Sequence, residues 1–469
     1  MKYSTSLAVA ASLLSASEAI NLVKRTNGLP RVLSLDTTRK RSNLYPSQRD
    51  NLRLRKRAGT VSQTLDNEDT LYFANVTLGT PGQRLRLDID TGSSDLWTNS
   101  ANSDLCQSRD GDCESSGTYN ANASKTYTYV NSDFQIQYAD NSYAIGDYGK
   151  DNLDLGGTTI TGVQFGIGYN STSSQGILGV GYAANEAYVS VSGQTYRNVP
   201  QLLVSQGKIS TPAYSLWLND LDANTGSILF GGVDTEKYHG ELSTLPIIKE
   251  GGTYREFVIG LSSLTAGGQS VFNNAPIPVL LDSGSSLSYL PNNYAQSVFS
   301  IFRAKFDDQS GAAVVSCDLL TSSATVDFSF SGVIIKVPMN ELVLIDGYLR
   351  GRPVCILGIS AAGDSTSVLG DTFLRSAYVV YDLNNNEISI APTNFNSTSN
   401  SVKEISNKVP GASAVPNAVS TLAVTSGGAR NGGQPSVTAI GSAAAAPTPA
   451  GVPVGKILGA AAAGLAFAL

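Results

Sequence analysis

The chain has 469 residues, more than one compact core usually spans, so two lobes are expected. Charged residues make up only 15 %, glycines number 46, and Tyr, Val, Ser and Thr are plentiful between turn residues, which reads as all-β. Four cysteines without C-x-x-C spacing and a single histidine, His239, argue against a zinc site.

Residues 1–19 begin with Lys2, continue through the apolar run "LAVAASLLSA" and end on small residues at Ser17 and Ala19. That is the pattern of a secretory signal peptide cut after Ala19, and its terminal position argues against a buried core helix. Residues 20–57 carry eleven Lys/Arg against Asp36 and Asp50, a net of +9, and close on "RKR". They read as a propeptide released at Lys56-Arg57, leaving Ala58 as the new N-terminus. The chain from 58 onward holds 20 Lys/Arg and 35 Asp/Glu, a net of −15. The basic segment would therefore mask the acidic body at neutral pH and loosen as carboxylates protonate. The competing reading, a basic tail for nucleic acid, conflicts with the signal peptide.

Between 58 and 392 short apolar runs alternate with tight turns: "LYFANVTLGTPG", "LRLDIDTG", "FQIQYADNSYAIGDYG", "GVQFGIGY", "SILFGGVD", "VDFSFSGVIIKVP" and "SAYVVYDL". One helix is predicted over 292–306, capped by Asn292 or Asn293, with apolar residues at Ala295, Val298, Phe299, Phe302 and Phe306. Cys106, Cys113, Cys317 and Cys355 form an even set, which in a secreted chain suggests two disulfides. Nearest-neighbour pairing would join 106 to 113 and 317 to 355, but three connectivities are open. Sequons occur at Asn75, Asn122, Asn170 and Asn396, the first inside a predicted strand.

Two stretches repeat one pattern. "LRLDIDTGSSDLW" and "VLLDSGSSLSYLP" each run apolar residues into Asp-Thr/Ser-Gly-Ser-Ser, placing Asp90 and Asp282 192 residues apart. "GILGVG" then places Gly179 89 residues after Asp90, and "SVLGDT" places Gly370 88 residues after Asp282. A single D-T-G is most simply a turn residue satisfying its own backbone. Two in matched register predict two similar β lobes facing each other across a cleft, an N-terminal lobe over 58–240 and a C-terminal lobe over 241–392.

Two carboxylates side by side cannot both ionise cheaply, so the pair would hold one proton between them. The ionised partner can take a proton from water while the protonated one polarises a carbonyl, a reaction that calls for neither a covalent intermediate nor a cofactor. Gly92 and Gly284 would let the backbone turn tightly beneath the carboxylates, with their amides donating to them. Thr91 and Ser283 would hydrogen-bond across the lobe interface, and Ser93 and Ser285 would reach the outer oxygens.

After residue 393 the composition turns to Ser, Thr, Ala, Gly, Pro and Asn, which predicts a disordered stalk over 393–445. Residues 446–469 end in "ILGAAAAGLAFAL", whose 13 apolar residues are too few to span a bilayer. Small residues, a spacer and a short apolar end form the pattern of a glycosylphosphatidylinositol (GPI) attachment signal, with Gly441, Ser442 and Ala443 as candidate attachment residues. Asn431 has suitable chemistry but lies far from the tail, and a plain tail with an accidental apolar end is the alternative.

The runs over 66–392 resemble the pepsin-like aspartic proteases, and among them the secreted, GPI-anchored fungal members of yapsin and candidapepsin type. The resemblance implies an all-β bilobal fold with a cleft, a β-hairpin flap, no cofactor, and a monomer acting on protein or peptide substrates; the loop "CQSRDGDC", short and acidic unlike the long processed insertion of some yapsins, predicts a single-chain mature enzyme. "IQYADNS" matches the flap, so Tyr138 would cover the substrate, although Ala139 stands where the family commonly has Gly. Trp97 matches the tryptophan behind the flap and is equally readable as a core aromatic. Asp140 would face the residue before the scissile bond and favour Lys or Arg there. The family's two disulfides match the nearest-neighbour pairing, and His239 matches nothing catalytic. A pepsin-fold protein without activity, serving as a wall-bound binding or structural module, is the competing reading. Both Asp-Thr/Ser-Gly triplets are intact, which weighs against it.

Overall fold

The computed structural model describes residues 31–39, 71–108, 113–138, 142–223, 225–307, 311–363 and 365–424. The signal peptide, Lys56-Arg57, Asp140 and residues 425–469, with the candidate anchor sites, lie outside them. Strands dominate the described residues, and their longest helix has only 11 residues.

The first half is built from β1 (Leu33–Arg39), β2 (Tyr72–Leu78), β3 (Gln83–Asp90), β4 (Leu96–Asn99), β5 (Thr128–Gln137), β6 (Tyr143–Leu155), β7 (Thr158–Ser171) and β8 (Gly176–Gly179). After β9 (Ala213–Trp217), β10 (Thr225–Phe230), β11 (Gly232–Asp234) and β12 (Leu242–Pro246), the second half follows with β13 (Val258–Ala266) and β14 (Gln269–Leu281). A 14-stranded sheet takes strands from both halves: β9 pairs with β10 on one edge and with Ala377–Asp382 on the other. The boundary drawn at 240 thus runs through a shared sheet. A seven-stranded sheet centred on β13 and β14 belongs to the second half alone.

The repeat has a direct structural counterpart. β3 delivers Asp90 beside the parallel β8, with Asp90 opposite Gly179. β14 delivers Asp282 beside the parallel strand Ser367–Leu369, with Leu281 opposite Leu369. In each half an antiparallel strand then covers that parallel pair, β4 on β8 and Ser288–Leu290 on Ser367–Leu369. Equal spacing in sequence reflects equal path length around the same loop.

Two expectations need correction. The helix ends at Phe302, because Arg303 adopts a left-handed conformation and Lys305–Asp307 turn into a strand. Its cap position is Pro291, and Asn292 instead accepts the Gly363 N–H at 3.0 Å. Residues 393–424, read as the start of a stalk, are instead tied to the folded body. Val402–Glu404 pair with β11, Ala412–Ala414 lie parallel to β12, and Ile405 and Val409 are buried beside Trp217, Val233 and Leu242. Lys237 fixes this strap, sitting 4.4 Å over the Trp217 ring while donating to the Ser397 carbonyl at 2.8 Å. The segment read as propeptide contributes a sheet strand. β1 pairs with β10 from Leu33↔Phe230 to Thr38↔Thr225, burying Leu33 and Leu35. The alternation at Leu33, Leu35 and Thr37 carried that signal.

Arg375 and Glu341 form a wholly buried pair behind the second half. Nε of Arg375 donates to Oε2 of Glu341 at 2.7 Å, and Glu341 also accepts the Leu221 N–H. Glu341→Ala leaves a buried guanidinium uncompensated, so denaturant unfolding is expected to show a loss of about 3–5 kcal/mol. A change below about 1 kcal/mol would show that the pair contributes nothing to holding the loop at 221.

Candidate active site

Asp90 and Asp282 are each 2 % exposed, at the ends of β3 and β14. The Gly92 N–H donates to Oδ1 of Asp90 at 2.9 Å and lies 3.1 Å from Oδ1 of Asp282. One amide therefore touches the inner oxygens of both carboxylates. The Gly284 N–H donates to Oδ1 of Asp282 at 2.9 Å. A Cβ on Gly92 would fall 2.5 Å from Oδ1 of Asp282, and one on Gly284 would fall 2.6 Å from Oδ1 of Asp90. Both positions exclude a side chain because the opposite carboxylate occupies that space.

The residues between them interlock. Thr91 Oγ1 donates to the Leu281 carbonyl at 2.9 Å and accepts the Ser283 N–H at 3.0 Å. Ser283 Oγ donates to the Ile89 carbonyl at 2.7 Å and accepts the Thr91 N–H at 3.2 Å. These four buried bonds cross from one half to the other with approximate two-fold symmetry. On the outer side, Ser93 Oγ donates to Oδ2 of Asp90 at 2.5 Å and Ser285 Oγ to Oδ2 of Asp282 at 2.9 Å. The carboxylates are thus pinned at both oxygens, which fixes their orientation before any substrate arrives.

β5 and β6 form a hairpin whose tip, 139–141, lies outside the described residues. Tyr138 stands at its base, bonding through its N–H to the Ser142 carbonyl. The indole N–H of the buried Trp97 donates to the Tyr138 hydroxyl at 2.7 Å, so Trp97 is both a core aromatic and the hairpin's anchor. The disulfides are Cys106–Cys113 and Cys317–Cys355. Asn75, Asn122, Asn170 and Asn396 are all exposed, as is His239.

Asp95, within the first motif, has a role that the motif alone does not show. Its carboxylate is buried and accepts the hydroxyls of Tyr148 at 2.9 Å and Tyr196 at 2.8 Å, and the Ala187 N–H at 2.7 Å. Tyr148 lies on β6, so Asp95 ties the turn after Asp90 to the hairpin strand. Burial, reinforced by the Asp95 carboxylate, holds the Tyr148 phenol far above its ordinary range, which keeps it a donor. Asn185 donates to the Gly92 carbonyl at 3.3 Å. Its neighbour Glu186 is 3 % exposed and accepts the Tyr196 N–H at 2.8 Å. Burial pushes the Glu186 carboxyl up to about 9; the Tyr196 N–H offsets part of that, and the charge of Asp95 adds to it. No signal short of the fold marks Glu186, because its neighbours come from three separate segments.

Paired carboxylates from two pseudo-symmetric β halves, cross-linked through Thr91 and Ser283, define an aspartic protease of pepsin-like architecture. The eukaryotic aspartyl protease family matches residues 71–393. The chain is 51 % identical to probable aspartic-type endopeptidase opsB of Aspergillus oryzae, over 98 % of both chains. It is 39 % identical to an acid protease of Saccharomycopsis fibuligera over 75 % of this chain and 87 % of that protein. It is 37 % identical to secreted aspartic protease 5 of Candida albicans over 73 % of this chain and 81 % of that one. The chain belongs to the eukaryotic aspartyl proteases and is an aspartic-type endopeptidase.

Proposed function

We propose that Asp90 and Asp282 share one proton and activate a water directly against a peptide carbonyl. The observation that carries this reading is the Gly92 amide, within hydrogen-bonding distance of both inner oxygens. The ionised carboxyl takes a proton from water, while the protonated one donates to the substrate carbonyl. Tyr138, backed by Trp97, helps close water out above the cleft. Cleavage of a protein substrate in acid, blocked by a pepstatin-type inhibitor, is the expected result. The mechanism needs the shared proton, so activity falls once alkali removes it. Activity that rises steadily to pH 9 contradicts it.

The finer reading is of a secreted enzyme made as a zymogen, held by a GPI anchor at the outer face of the plasma membrane or in the cell wall, and acting as a monomer. The signal-like residues 1–19, the dibasic Lys56-Arg57 and the apolar end of the chain support it. Release after Arg57 would take β1 from between β2 and β10, so the precursor's sheet includes a strand of its own propeptide. Asp140, in the sequence between β5 and β6, supports a preference for basic residues before the scissile bond. Matched peptides with Lys and Leu at that position are expected to differ about tenfold in kcat/KM in favour of Lys, a gap of about 1.4 kcal/mol. Equal rates would remove the preference.

A further inference from the structure

We infer that the N-glycan carried by Asn75 folds back into a groove beside it and is held there by Ser116, Arg84 and Glu114. This rests on the secretory reading above, since the sugar is added only on that route. Asn75 begins the sequon Asn75-Val76-Thr77 on β2, opposite Arg86 on β3, and its side chain is exposed. It is itself part of the lining of a groove of about 580 Å³, together with Thr77, Arg84, Glu114, Ser116 and Asp154. That volume lies in the range of about 300–1,000 Å³ that suits small-molecule ligands. The innermost sugars of a glycan rooted at its edge are of that size.

The second observation is Ser116. It is 2 % exposed, yet its Oγ has no hydrogen-bond partner among the described residues. A buried hydroxyl left unsatisfied is costly, and a sugar hydroxyl or N-acetyl group supplies the missing bond. The backbone around it is fixed: the Ser116 carbonyl accepts the Arg86 N–H at 2.8 Å, and its N–H donates to the carbonyl of the disulfide-bonded Cys113. Arg84 offers donors and Glu114 and Asp154 offer acceptors, the mixed set that saccharides require. Asn122 and Asn170 are exposed sequons that do not line this groove, and they serve as internal controls.

The test is made on the full chain secreted from a fungal host. Glycopeptide mass spectrometry gives occupancy at Asn75, Asn122 and Asn170, and endoglycosidase H on the native protein gives the release rate at each. Asn75 is expected to be occupied and its sugar released at least about tenfold more slowly than the others, equivalent to about 1.4 kcal/mol of protection. Ser116→Ala, and independently the surface substitution Arg84→Ala, should bring it to the control rate. A bare Asn75 with sugar on Asn122 or Asn170 overturns the inference and leaves secretion standing. No sugar at any sequon also overturns the inference, whereas a chain retained inside the host overturns the secretory reading. Equal release rates, or slow release that survives both substitutions, overturn the seating in this groove.

Discussion

Asp90→Asn is expected to lower kcat at least about a thousandfold with little change in KM, because general acid–base catalysis supplies about 10²–10⁴ and both halves of it pass through the dyad. Asn matches Asp in size and can still accept the Gly92 N–H, so the cross-linking by Thr91 and Ser283 stays in place and the protein folds. What it cannot do is take a proton from water or carry the shared one. Asp282→Asn should cost about as much, and the double variant little more, since the two groups act as a unit. The measurement is kcat for a peptide substrate in acid, with circular dichroism to verify the fold. A folded Asp90→Asn enzyme within tenfold of the parent would end the dyad assignment.

Glu186 is expected to make the protein markedly weaker in alkali. Folded, its carboxyl keeps its proton up to about 9; unfolded, it releases it near the ordinary 4.5. The native state therefore binds a proton that the unfolded state has lost, and stability falls as pH rises between those values. The contribution is fully present below about pH 4.5, and its loss by pH 9 is of order 6 kcal/mol, at about 1.36 kcal/mol per pH unit. Glu186→Gln mimics the protonated form and keeps an acceptor for the Tyr196 N–H. Denaturant unfolding from pH 4 to 9 should show the parent losing stability steeply and the variant much less, with the variant the more stable at pH 8. Parallel curves would show that Glu186 ionises in the folded protein at little cost.

Both predictions concern residues within one small region, yet only one was readable in advance. Asp90 and Asp282 announce themselves because a tight turn beneath a carboxylate needs short-range chemistry: a following Thr or Ser, a Gly without Cβ, then hydroxyls. The matched offsets to Gly179 and Gly370 betray the duplicated loop. Asp95 stood within the same motif without a role, because its partners Tyr148, Tyr196 and Ala187 arrive from strands and turns far along the chain. The tail misled for the opposite reason. Its composition is that of a linker, but a few apolar residues, Ile405 and Val409 among them, find a cluster already built by other strands.

What the amino-acid order decides alone is local: strands from alternation, turns from Gly, Asn and Asp, and two carboxylates each set above its own loop. Whether those loops meet depends on pairings between segments far apart, such as Ser283 with Ile89 across 194 residues and Ser401 with Asp234 across 167. No periodicity encodes such contacts, since each is worth little until the halves have closed and excluded water. Tertiary structure therefore decided that β1 joins the sheet, that residues 393–424 are folded, and that Glu186 and Ser116 are buried.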